Sequence, residues 1–526
     1  MLRKLVSIIL LITCLFSQNE EEVFSSFTGS FGSVTLADQI YNQFSFRPEM
    51  SKGKLGIGLD LYFYFDNDGN LSDNNWNFKN TNNSFKTIVD KIYYIRWGQP
   101  SDDMYFRFGA LPNFTLGYGS LIKNYSNVID YPRVRRKGLT FNYQFGEFSV
   151  QFLHSDFKEY NAPSLIAAST SFEFFEKLNL NVTIATDPDQ LNGLHDRDDD
   201  GYADFIDHFP DDDTYWHESE LLIEQLNDRT SSLGSPCWDL NAVPQFSDVC
   251  SDQQDLLILD MSDFLSNSRL GDNRSDAEVS GLSFGLSYNL TDRFSLYSEF
   301  SQLFGKTDNP YEESHENYLT YDKRLGSGFI PFGFKADWDK VSFSFDYRQN
   351  TAKFLFHYWD QNYDNNRVVI YQNESENGVE ARTKEELLYK YGKSQGVQLS
   401  ISTYIKYFGF AFSYSHMNSD LWNQETQAYK SDDNNTLYVK FDVDTSMIDR
   451  IRIAEIFYQQ SHVDDPFDFE PNENSLFGYD LGIDMAENMA LILKGRKSYI
   501  PSDYDGDGNL IYDSIRTTQI ETQIIF

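Results

Sequence analysis

The chain has 526 residues, with 43 Lys+Arg against 80 Asp+Glu and a formal net charge of −37. Such an acidic surface excludes a nucleic-acid partner, because gripping phosphates needs a basic face. Aromatics make up 16% of the residues, supplied by 45 Phe, 34 Tyr and 7 Trp. That richness excludes global disorder, although the mean hydropathy is only −0.50.

Residues 1–17 begin with Arg3 and Lys4, continue through the apolar run Leu5 to Phe16 and reach a small residue at Ser17. This is the layout of a secretory signal peptide, and the run is too short to cross a bilayer. From about Phe27 onward, segments of roughly ten residues alternate apolar with polar side chains, the period of a strand with two unlike faces. In one such segment Leu139, Phe141, Tyr143 and Phe145 interleave with Thr140, Asn142 and Gln144. Further on, Leu282, Phe284, Leu286, Tyr288 and Leu290 interleave with Ser283, Gly285, Ser287 and Asn289, and Val341, Phe343, Phe345 and Tyr347 with Ser342, Ser344, Asp346 and Arg348. Soluble strands usually run to about five or six residues, whereas a tilted strand that crosses a bilayer needs about ten.

Residues 187–276 break the rhythm. They hold 23 acidic and four basic residues, about half of the excess charge of the whole chain, and divide it into a first strand region at 18–186 and a second at 277–526. Within the break, Asp196, Asp198, Asp200, Asp204 and Asp207 stand at positions 1, 3, 5, 9 and 12 of a loop with Gly201 at position 6, and Tyr202 supplies its carbonyl at position 7. Calcium needs six to eight hard oxygens, and the glycine permits the sharp turn that lets alternate carboxylates converge. The run onward through His208-Phe209-Pro210-Asp211 resembles a thrombospondin type 3 repeat, which implies bound Ca2+ as a structural ion. Cys237 and Cys250 lie in the same segment. An even pair in an exported chain points to a disulfide, and a loop of this size is stabilised by about 3 kcal/mol in the chain-entropy picture.

The last segment places Thr518, Ile520, Thr522, Ile524 and Phe526 on one face and Thr517, Gln519, Glu521 and Gln523 on the other. It resembles the terminal assembly signal of bacterial outer-membrane β-barrels. The resemblance implies insertion by the barrel-assembly machinery, a lipid environment and a periplasmic C-terminus. The fold expected is all-β, a transmembrane antiparallel barrel of about twenty strands, within roughly 18 to 22 because 353–371 allows one more hairpin. Counting connections alternately back from the C-terminus puts the short turns on one side and the long Asp/Asn/Gly-rich loops on the other, among them 111–136, 304–326, 371–396, 418–434 and 498–514.

On the polar faces Arg107, Glu299, Asp346, Arg348, Lys494 and Arg496 carry charges of both signs, which require water beside them. A barrel this wide leaves an aqueous channel. The non-alternating segment 111–137 is the expected constriction. Its cluster Arg133, Arg135, Arg136 and Lys137 either favours anions there or pairs with acidic neighbours and lipid phosphates. Two functions remain: a porin for small hydrophilic solutes, or a surface-interaction protein whose barrel anchors the calcium segment for an extracellular partner. No His-Glu-x-x-His, Gly-x-Ser-x-Gly or phosphate-binding glycine loop is present, so no catalysis is expected. An N-terminal plug of transporter type is not expected either, since strands start close to the cleavage point.

Overall fold

The computed structural model describes residues 24–525 except 37–38, 67, 73–75, 130, 132–133, 161–162, 176, 195–201, 203–206, 210–213, 218–219, 221–276, 374–377, 425, 444–450 and 505–509. Strand follows strand in antiparallel pairing from Phe24–Leu36 to Leu510–Ile525, and these two pair with each other from Thr28 opposite Ile525 to Thr35 opposite Thr518. The sheet is therefore a closed barrel. Twenty strands form it, two of them interrupted: Leu55–Leu59 and Leu61–Phe65 break at Asp60, and Ala428–Asp433 and Asn435–Val443 break at Asn434. The segment 353–371 adds no barrel hairpin; instead Val368–Asn373 pairs with Gly378–Thr383 as a separate two-stranded sheet. Among the described residues no helix is long and apolar enough to cross a membrane.

Alternation translates directly into two surfaces. On Val279–Thr291, Phe284, Leu286, Tyr288 and Leu290 are exposed on the outer wall, while Ser283 and Ser287 are buried on the inner one. The last strand behaves the same way, with Ile520 outside and Thr517, Gln519 and Glu521 inside. A one-residue slip would swap these faces, so the pattern fixes the register.

One rim carries short turns, such as 146–147, 292–293, 339–340, 406–407 and 487–488. Gly146 and Lys406 take left-handed backbone there, the conformation tight hairpins need. The opposite rim carries 66–91, 110–137, 155–165, 188–278, 305–326, 351–390 and 464–474. Two connections expected to be long are not. Strand Phe408–Asn423 and strands Met489–Tyr504 and Leu510–Ile525 each run to 16 residues, so the loops 418–434 and 498–514 are taken up largely by strand. The polar residues there alternate as well as apolar ones do; only the hydrophobic contrast is missing.

Inside the barrel Glu521 ties the closing seam together. It accepts from Ser30 Oγ at 2.9 Å, Gln43 Nε2 at 3.4 Å, Gln519 Nε2 at 3.1 Å and Gln523 Nε2 at 2.6 Å, and it lies 3.6 Å from the Arg47 guanidinium. Truncating such a buried, multiply bonded carboxylate removes an acceptor shared by four donors and one of the two carboxylates beside Arg47, a loss of about 3 kcal/mol. Glu521→Ala should lower the temperature at which the folded band is lost in heat-modifiable electrophoresis, with Glu521→Gln falling between it and the parent. Equal transition temperatures for all three would show that the seam does not depend on this side chain.

Candidate functional site

Two long connections do not project from the rim but fold into the bore. The first, 110–137, leaves strand Met104–Gly109 and buries Leu111, Leu116, Leu121, Ile122 and Tyr125. The second, 351–367, leaves strand Val341–Asn350 and buries Phe354, Leu355, Phe356, Tyr358, Trp359 and Tyr363. Neither run alternates, so neither suits a wall strand; each must cover its apolar groups on both sides, and the other loop is the nearest cover. They pair through backbone bonds: Lys123 N to Trp359 O at 3.1 Å, Trp359 N to Leu121 O at 3.0 Å and His357 N to Ser120 O at 2.8 Å. Together with Leu153, Ala167, Ala185, Val279, Leu303 and Ile330 of the wall they make one apolar core inside the barrel.

The wall is shaped to receive them. A side chain at Gly281 would meet Trp359 and Leu121 at 3.0 and 3.1 Å, and one at Gly285 would meet Tyr118 at 2.8 Å. Where the loop tip touches the wall, Glu299 accepts from the Tyr118 amide at 3.2 Å and the Ser120 amide at 3.1 Å, and Ser120 and Ser301 share a 2.5 Å hydroxyl bond. Tyr118 stacks on Tyr297 with ring centroids 4.7 Å apart. Across the bore, Ile129 packs on Phe457 and Leu476. The 110–137 loop thus reaches from one wall to the other.

Several of the lumen charges are held in ion pairs. Asp60, at the strand break, receives Arg47 Nε at 2.8 Å, Arg135 Nη1 at 2.6 Å and Tyr131 Oη at 3.1 Å, and the Arg135 guanidinium lies 3.2 Å over the Tyr62 ring. Arg136 pairs with Asp364 at 3.3 Å and Arg367 with Asp187 at 3.1 Å. Arg348 pairs with Asp346 and donates to His357 Nε2 at 2.9 Å. Arg496 pairs with Asp480 at 2.7 Å. Arg107 bonds the Ala110 carbonyl at 3.0 Å at the root of the loop, and Lys494 shares the inner face of Met489–Tyr504 with Arg496. Arg133 lies outside the described residues. Lys123, whose Nζ is 3.4 Å from Ser400 Oγ, is pushed down to about 7 by burial and by the nearby Arg348 guanidinium. Burial with Arg348 and Lys123 nearby holds the His357 imidazole well below its usual value, so Nε2 is free to accept.

Of the calcium-loop residues, Asp196, Asp198, Asp200 and Asp204 lie outside the described residues, as do Cys237 and Cys250. Asp207 is buried and accepts from the Phe209 amide at 2.7 Å, and the Tyr202 ring stacks on Trp216 at 4.1 Å. Among the described residues no cluster of three metal-ligating side chains occurs. Asp66, in another Asp/Asn-rich stretch, accepts from the Asp68 and Asn70 amides at 2.9 and 2.8 Å.

The segment 111–137, expected as the constriction, lies inside the barrel, and 353–371, which allowed one more hairpin, lies beside it instead of adding wall strands. The signal was available in Phe354-Leu355-Phe356-His357-Tyr358-Trp359, an unalternating aromatic run beside a strand end. No family model matches the chain, and no curated protein does. Among solved structures, OccK3 (OpdO) of Pseudomonas aeruginosa is 10% identical, with 96% of each chain covered and a TM-score of 0.33. OccAB4 of Acinetobacter baumannii is 8% identical over 97% of this chain and 99% of that one, with a TM-score of 0.30. The siderophore receptor PirA of Acinetobacter baumannii is 10% identical over 97% and 81%, with a TM-score of 0.33.

Glu299 is the wall's hold on the loop tip. Glu299→Ala removes the acceptor for two loop amides and should raise single-channel conductance and its open-state noise in planar bilayers. A trace indistinguishable from the parent would place the narrowest point elsewhere.

Proposed function

We propose that the protein is an integral outer-membrane channel for small hydrophilic solutes, with its long-loop rim facing outward and its C-terminus on the periplasmic side. The observation that carries this reading is the pairing of a closed barrel with opposite faces: exposed Phe, Leu, Ile and Tyr outside, and Ser, Gln, Arg, Asp and Glu inside. Lipid offers no partner to an open strand edge, so closure suits a membrane, and inward charges suit a wet lumen. A bore of twenty strands is wider than side chains fill, and two infolded loops give it a constriction instead of leaving it open. Assembly by the barrel machinery follows from the terminal strand.

In planar bilayers the folded full-length chain should form ion-conducting pores. Well-folded protein without conductance would remove the channel reading and leave the barrel as an anchor.

A second reading concerns the 187–276 insert, favoured by its 23 acidic residues and the complete calcium-loop spacing from Asp196 to Asp207. It is a Ca2+-stabilised surface module with an extracellular partner, and it is compatible with the channel. Clustered carboxylates repel one another until a cation binds, and binding favours the ordered form. Protease should cut this segment several-fold faster in chelator than in calcium, and Asp196→Ala/Asp198→Ala should abolish the difference. Equal cleavage in both conditions would rule the module out.

A further inference from the structure

The inner wall passes from buried to open at the lower edge of the infolded loops. Along strand Tyr391–Ile405 the inward face runs from Gln398, buried, through Ser400, half-buried, to Ser402, exposed. On the paired strand Val341–Asn350 it runs from Arg348 and Asp346, buried, to Ser344, half-buried and opposite Ser400. Lys123 of the first loop reaches this boundary, itself half-buried, with its amide held by the Trp359 carbonyl at 3.1 Å. Its Nζ lies 3.4 Å from Ser400 Oγ, Ser400 and Ser413 share a 2.8 Å hydroxyl bond, and Gln398 Nε2 donates to Ser413 Oγ at 2.8 Å. The partner of this ammonium is thus a hydroxyl, whereas Arg135, Arg136 and Arg348 each have an aspartate. Asp346, the carboxylate whose charge acts on Lys123, is already engaged by Arg348 and by Tyr297 Oη at 2.8 Å.

We propose that Lys123, with the hydroxyls of Ser400 and Ser413, is a binding step for small anions in the bore and sets a preference for anions over cations there. An ammonium carries three donors, and a single long bond to a hydroxyl leaves it short of acceptors. A half-buried cation beside an apolar core is costly until a counter-charge arrives, and a small anion from the open side of the boundary supplies it. Hydroxyls turn to donate, so Ser400 and Ser413 add bonds to that anion once it is in place. A cation at the same point meets repulsion from Lys123 and finds Asp346 engaged. The inference rests on the channel reading and adds the class of solute to it.

The test is the reversal potential of the full-length chain in planar bilayers under a KCl gradient, with each variant first checked for folding by heat-modifiable mobility. At about pH 6 the chloride-to-potassium permeability ratio should fall by about threefold to tenfold in Lys123→Met, the range expected for one contact between unit charges in a wet bore. Lys123→Arg should keep the ratio of the parent, which a merely structural lysine would not require. The groups facing Lys123 are Arg348 and Asp346 on the wall and His357 on the second loop, and the imidazole is neutral there. Lys123 loses its proton at about 7, so the preference of the parent should be full below that pH and fade above it. In Lys123→Arg it should persist, because a guanidinium does not titrate in this range. Conducting pores whose reversal potential at about pH 6 is the same in the parent and in Lys123→Met would overturn the anion step and leave the channel standing. Folded protein without conductance would overturn both.

Discussion

The structure depends on the pairing of its first and last strands. A sheet that ends in an unpaired edge leaves a row of backbone donors and acceptors open, and in lipid nothing can take them up. Once Phe24–Leu36 meets Leu510–Ile525 no edge remains, and the inner and outer faces become separate solvents for their side chains. The ring of partners around Glu521 sits at this junction, joining residues almost the full chain apart.

Closure at twenty strands creates the second requirement, a filled bore. Side chains from the wall cannot meet across it, so 110–137 and 351–367 supply a second layer with its own apolar core. Glycine appears on the wall where that layer presses closest, at Gly281 and Gly285. Charge follows the same division. Most of the lumen's arginines described sit against an aspartate, as Arg135 does with Asp60 and Arg348 with Asp346, while Arg107 holds a loop carbonyl instead. The excess of −37 is therefore concentrated elsewhere, with about half of it in residues 187–276.

Strand number, facing and rims were legible because alternation is a geometric property of a strand with two environments. Ser283 and Phe284 needed no structure to be placed on opposite sides. Arg348, Asp346 and Glu299 were assigned inward by the same parity, and they lie there. Strand ends were less legible: around 418–434 and 498–514 both faces are polar once the strand rises past the apolar band, so the contrast that marks a strand disappears while the pairing continues. The infolding of 351–367 was hidden for another reason. Its aromatic run was weighed as wall, because burial between a loop and a wall leaves no periodic trace. The break at Asp60, which orients Arg47 and Arg135, is a single residue among apolar neighbours, and only the partners reveal its role.

The uneven strand lengths give the mouth a direction. Strands of 16 residues extend about 50 Å along their path, whereas Met104–Gly109 and Gly138–Phe145 have only 6 and 8 residues. The rim is therefore a slope, high over the C-terminal strands and low where the 110–137 loop descends. The opening is therefore oblique to the barrel axis, with its low side at the strands that the 110–137 loop joins.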